Sequence, residues 1–85
     1  MVESLNIKEI FEQLDQLVEQ RDAVGLEKVV NEFLSHLQTQ LSCEQFFDKE
    51  RPIRYRLERM KKLIKNNAPA IILESELKIL KKKIQ

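Results

Sequence analysis

Leu26-Glu27-Lys28-Val29-Val30-Asn31-Glu32-Phe33-Leu34-Ser35-His36-Leu37-Gln38-Thr39-Gln40-Leu41 decides the fold. Its apolar residues fall at 26, 29, 30, 33, 34, 37 and 41. A strand would alternate with a period of two; this 3-4 spacing builds one wide apolar face over about four helical turns. With Asp22 as its cap and Gly25 in a loose first turn, the spacing predicts a helix over 23–42. Upstream, Asn6-Ile7-Lys8-Glu9 reads as a helix start, with Asn6 as cap, Glu9 three residues on, and Leu5 and Ile10 placed to form a hydrophobic staple. Ile7, Ile10, Phe11, Leu14, Leu17 and Val18 then mark one stripe, so a first helix over 7–20 is expected. The very short join makes the two an antiparallel hairpin.

Downstream the pattern is less regular. Cys43 to Arg51 reads as a loop or short turn from which Phe46 and Phe47 tuck back toward the core. Pro52 suits a first helical position, and Ile53, Leu57, Met60, Leu63 and Ile64 form a third stripe over 52–66. Asn66-Asn67-Ala68-Pro69 interrupts it, and a last helix is expected over 69–84. The two segments read either as separate helices or as one helix kinked at Pro69. The fold class is all-α: a single domain over 1–85, an antiparallel bundle of three to four helices.

Composition supports this. One Gly and two Pro among 85 residues leave little material for the turns of an all-β fold, and 42% hydrophobic with 34% charged residues is too apolar for disorder. The single cysteine, Cys43, excludes an internal disulfide framework and fits a reducing compartment. The start Met1-Val2-Glu3-Ser4 carries neither a basic nor an apolar signal region, and the longest apolar run, Ala70 to Leu73, is far too short for a bilayer. A cytoplasmic location without a membrane span is expected. The net charge of +1 hides an asymmetry: residues 1–50 carry four basic and eleven acidic side chains (−7), residues 51–85 eleven basic and three acidic (+8). The favoured reading is intramolecular, an acidic helical pair beside a basic one. The sharper reading is a basic surface for nucleic acid or an acidic partner, built from Arg54, Arg59, Lys61, Lys62 and Lys65.

No catalytic constellation is visible, and an enzyme is the least favoured class. His36 and Cys43 are too few for a zinc site, and no third group orients them as a nucleophile–base pair. Glu9, Glu12, Asp15 and Glu19 lie off the apolar stripe and read as a solvated face. Neither a metal nor a cofactor is expected.

The informative anomaly lies in the last helix. Ala70, Leu73, Leu77, Leu80 and Ile84 cluster within about 80° around the axis, while Ala68, Ile72, Ser75 and Ile79 form a second seam more than about 100° away. A surface helix of a small bundle needs one apolar stripe. Two favour a dimer or a target-binding face, and the candidate partner-binding residues are Ala68, Ile72, Leu73, Ile79 and Leu80.

The order of features resembles the flagellar type III export chaperones of the FliT kind over roughly residues 10–85. The residues that carry it are the wide stripe Leu26 to Leu41, the run Leu57-x-x-Met60-x-x-Leu63-Ile64-x-Asn66-Asn67, and a last helix with Ile71-Ile72-Leu73 and Leu77. Pro69 and the strongly basic third helix depart from the family's pattern. The resemblance implies an antiparallel bundle, as monomer or dimer, that keeps a helical segment of a filament-cap or export-apparatus protein soluble. It also implies a last helix that moves to uncover the binding surface, a role falling here on Ile72, Leu73, Ile79 and Leu80. The leading expectation is therefore a non-enzymatic helical adaptor or chaperone for a protein partner. The alternative is a small nucleic-acid-binding or transcription-regulatory helical protein using its basic half.

Overall fold

Three of the helices begin where a side chain takes up free backbone donors. The Asn6 carboxamide oxygen accepts the N–H of Lys8 (3.0 Å) and of Glu9 (3.4 Å), and the Asp22 carboxylate accepts the N–H of Gly25 (2.9 Å). At Ser42 a full capping box forms: its hydroxyl accepts the Gln45 N–H, and the Gln45 side chain accepts the Ser42 N–H. Pro69 opens the last helix without a side-chain cap. The resulting chain, a computed structural model describing residues 6–85, holds α1 (Ile7–Glu19), α2 (Ala23–Gln38), α3 (Cys43–Lys65) and α4 (Ala70–Ile84). The staple expected between Leu5 and Ile10 lies outside the described residues.

α1 and α4 match the expected spans to within a residue. α2 stops at Gln38 rather than 42, because the backbone tightens through Thr39 and Gln40, whose N–H groups donate to His36 and Leu37, and the Thr39 hydroxyl donates to the His36 carbonyl at 2.7 Å.

The larger correction concerns 43–51. This stretch is not a loop, and Pro52 is not a first helical position: α3 starts at Cys43 and runs through Pro52. A proline here forfeits one backbone hydrogen bond and crowds the preceding turn, at about 3 kcal/mol. The burial of Phe46 and Ile53 on either side of it, on the same stripe as Leu57 and Met60, offsets that cost. Only Phe46 tucks into the core; Phe47, its ring 5.9 Å away, stays exposed. Cys43 is exposed at the first residue of α3, so it fills no space in the core.

At the other proline the chain does break, so 53–84 forms two helices. Asn67 takes a left-handed φ of 58°, the Ala68 N–H donates to Leu63 and the Asn67 N–H to Ile64. This is a Schellman ending. The α1–α2 join has the same form: Arg21 at φ 56°, with Asp22 donating to Leu17 and Arg21 to Val18.

Cross-helix pairs show that neighbouring helices run antiparallel. Asn31 lies on Arg54 where Glu27 lies on Lys61, and Lys49 reaches Gln85 where Arg56 reaches Glu76. Each helix packs on two others, α1 on α2 and α4, α3 on α2 and α4; among the described residues the diagonal pairs stay apart. The fold is an all-helical antiparallel bundle of four, closed into a ring by α1 against α4. One core fills its axis, with Leu14, Leu26, Phe33, Ile53, Leu57, Met60, Leu73 and Leu80 essentially inaccessible. Among the described residues no helix is long and apolar enough to cross a membrane.

Candidate protein-binding surface

α4 presents its two seams very differently. Leu73 (1% exposed), Leu77, Leu80 (0%) and Ile84 point into the core. On the second seam Ile72 is 42% exposed, Ser75 is exposed and Ile79 is half-buried, while Ala68 is buried in the α3–α4 turn. Ile71, off both seams, is 71% exposed. Of the residues singled out from sequence as partner-binding, Ile72 and Ile79 are therefore reachable on the docked helix. Leu73, Leu80 and Ala68 become reachable only if α4 or its turn leaves the bundle.

The flank of α4 beside Ile72 and Ile79 meets α3 through Glu76, a residue that the sequence reading passed over. Its carboxylate is buried, accepts a hydrogen bond from Arg56 Nη1 at 3.3 Å, and is ion-paired with the Arg59 guanidinium, whose Nε lies 3.0 Å away. Two guanidinium groups on one carboxylate leave a local positive excess. The sequence signal was a single carboxylate next to Leu77, on the edge of the apolar seam, in a strongly basic half. Beside it on α3, Tyr55 is 62% exposed, with the Arg56 guanidinium 5.4 Å from its ring centre.

The expected basic surface is divided. Arg54 is held by Glu50 (2.9 Å) and Asn31 (3.1 Å), Arg59 by Glu76, and Lys61 by Glu27 (3.1 Å) and Glu58 (3.4 Å). The hydrogen bond that Lys61 donates to Glu27 holds its ammonium above the ordinary lysine pKa. Lys62 and Lys65 are exposed and form no ion pair among the described residues. Lys61–Glu27 and Lys81–Asp15 (2.6 Å) tie the basic half to the acidic half. The charge asymmetry of the sequence is thus partly spent inside the molecule.

The other chemical candidates are scattered. His36 is half-buried on α2, its Nε2 accepting from Gln40 Nε2 at 3.0 Å. Glu9, Glu12, Asp15 and Glu19 are exposed along α1. No three His, Cys, Asp or Glu side chains gather as a metal site among the described residues. A groove of about 460 Å³ runs between α1 and α4, with Val18, Leu73 and Leu77 in its floor and Asp15, Glu19 and Glu74 around it. Arg21 also lines it, so the groove offers apolar contact and mixed charge, but no nucleophile or paired acid and base.

Comparison with protein-family models, with curated proteins and with solved structures gives no match to this chain.

Proposed function

We propose that the chain is a non-enzymatic helical adaptor or chaperone that binds a helical segment of a protein partner through the apolar surface of α4. One observation carries the reading: Ile72 and Ile79 lie on an outward flank of a helix whose inward face already fills the core. Isolated exposed apolar residues need no account, but a row at helical spacing is what a partner helix reads. Covering what is left exposed of both isoleucines would contribute on the order of 1–3 kcal/mol before ordering costs. The resemblance to flagellar export chaperones would make the partner a filament-cap or export-apparatus protein and the setting the bacterial cytoplasm. A second copy of the chain is the competing occupant.

The test is the double variant Ile72→Asp, Ile79→Asp. Proteins retained by the wild-type chain from nuclease-treated lysate should be lost with the variant, while its helical circular dichroism is kept. Undiminished retention by a folded variant removes the proposal. A sedimentation coefficient that falls for the variant in purified form would assign the surface to self-association instead.

A second reading, nucleic-acid binding, rests on Lys62 and Lys65, exposed and without an ion pair among the described residues. The internal pairing of Arg54, Arg59 and Lys61 counts against it. It requires binding that weakens steeply with salt, and absence of binding to DNA and RNA at about 50 mM salt removes it.

A further inference from the structure

We infer that the partner segment is an acidic amphipathic helix, seated in the valley between α3 and α4 while α4 stays docked. This rests on the helix-binding reading and adds to it the chemistry and position of the ligand. At 100° per residue, Ile72, Ile79 and Lys83 fall within about 40° of one another on α4, with Ser75 and Lys82 alongside. On α3, Tyr55, Arg59 and Lys62 share an outward face about 60° wide. Glu76 bonds both Arg56 and Arg59, so the two faces adjoin. The valley thus has apolar contacts in Ile72, half-buried Ile79 and the Tyr55 ring, and cations in Arg59, Lys62, Lys82 and Lys83.

Glu44 and Asp48 are exposed on the same outward face of α3, at the end of the valley near Lys82 and Lys83; along the stretch that faces Ile72 and Ile79 the anions are already taken. Between Pro52 and Lys65 the only carboxylate on α3 is Glu58, which is bonded to Lys61. On α4, Glu76 is shared by two arginines, and Glu74 lines the groove on the opposite, α1 flank. Lys62, Lys82 and Lys83 are exposed without an ion pair among the described residues. Ile72 and Ile79 are two turns apart, about 10 Å along the axis, which is the i to i+7 spacing of a second helix. A ligand with leucines at that spacing and carboxylates on its flanks meets both features. A nucleic acid would use the cations and leave the isoleucines uncovered. A basic helix would use the isoleucines against like charge.

Three synthetic amphipathic peptides with one common leucine stripe, flanked by glutamate, glutamine or lysine, test this by fluorescence anisotropy against the whole chain. The glutamate peptide should bind at least about tenfold tighter than the lysine peptide at low salt. The triple variant Lys62→Glu, Lys82→Glu, Lys83→Glu should reverse that order, with the circular dichroism unchanged. Ile72→Asp with Ile79→Asp should abolish binding of all three. Equal binding of the three peptides by the wild-type chain overturns this inference and leaves the helix-binding reading standing. Failure of all three at about 100 μM overturns the valley as a helix site. Duplex DNA that displaces the glutamate peptide from the isoleucine variant as well as from the wild type would overturn it in favour of a general anion surface.

Discussion

The α1–α2 and α3–α4 hairpins are built on one plan and finished differently. Each is an antiparallel pair closed by a Schellman turn with a non-glycine residue in the left-handed region, Arg21 in one and Asn67 in the other. Each supplies half of a common core. Outside the core they part. Among the described residues the first hairpin has Val24 as its lone large exposed hydrophobic and lines its outer surface with carboxylates. The second exposes Phe47, Tyr55, Ile71 and Ile72 beside lysines that form no ion pair among the described residues. Like turns with unlike surfaces are the reason the proposed binding surface is drawn on the second hairpin.

The strongest way to probe the shared part is to empty it. Leu14→Ala and Leu80→Ala, one fully buried leucine from each hairpin, should each lower the unfolding free energy by about 2–5 kcal/mol in urea titration. A loss under 1 kcal/mol for either (a value typical of exposed sites) would mean that its hairpin is not part of the common core. Next come two ion-paired carboxylates, one within the second hairpin and one between the hairpins. Glu76→Ala should cost about 1–2 kcal/mol, because it strands two partly covered guanidinium groups. Asp15→Ala, at a mostly exposed pair, should cost under about 1 kcal/mol. Equal losses would erase that distinction.

Of similar size is Gly25→Ala in the first hairpin. A Cβ there would lie 2.6 Å from both Asp22 Oδ2 and Leu17 Cδ2, displacing the cap and costing about 1 kcal/mol despite the better helix propensity of alanine. An unchanged or raised melting temperature would show that the cap shifts freely. The smallest effects belong to the turns and have the opposite sign. Arg21→Gly should stabilise by up to about 1 kcal/mol through relief of the left-handed φ. Asn67→Gly should stabilise by less, because asparagine tolerates that region better. The reverse order in thermal denaturation would break the equivalence of the two turns.

The elements of the first hairpin were legible because cap, stripe and length agree at Asn6, Asp22 and Leu26 to Leu37. The start of α3 is hard to read because Pro52 looks like a boundary, while the Ser42-x-x-Gln45 capping box that opens the helix lies ten residues upstream of it. Pro52 and Pro69 show that the residue alone does not decide. A cap before it and buried side chains across it carry a helix through, whereas a left-handed Asn67 before Pro69 ends one. At the candidate surface the second seam of α4 could be read from spacing, but its depth could not. Leu73 and Leu80 share the apolar character of Ile72, and only packing separates the covered from the open. Glu76 escaped because a carboxylate shows its partners only once α3 and α4 lie side by side.

The ring closure of the bundle has a consequence for how the molecule assembles. Three of its four interfaces join helices that follow one another along the chain, so they demand little loop entropy and should form rapidly. The α1–α4 interface joins the most distant segments, as in the contact between Asp15 and Lys81. It should therefore be the last to form and the first to open, and amides of α1 should exchange with solvent ahead of those in the middle of α3.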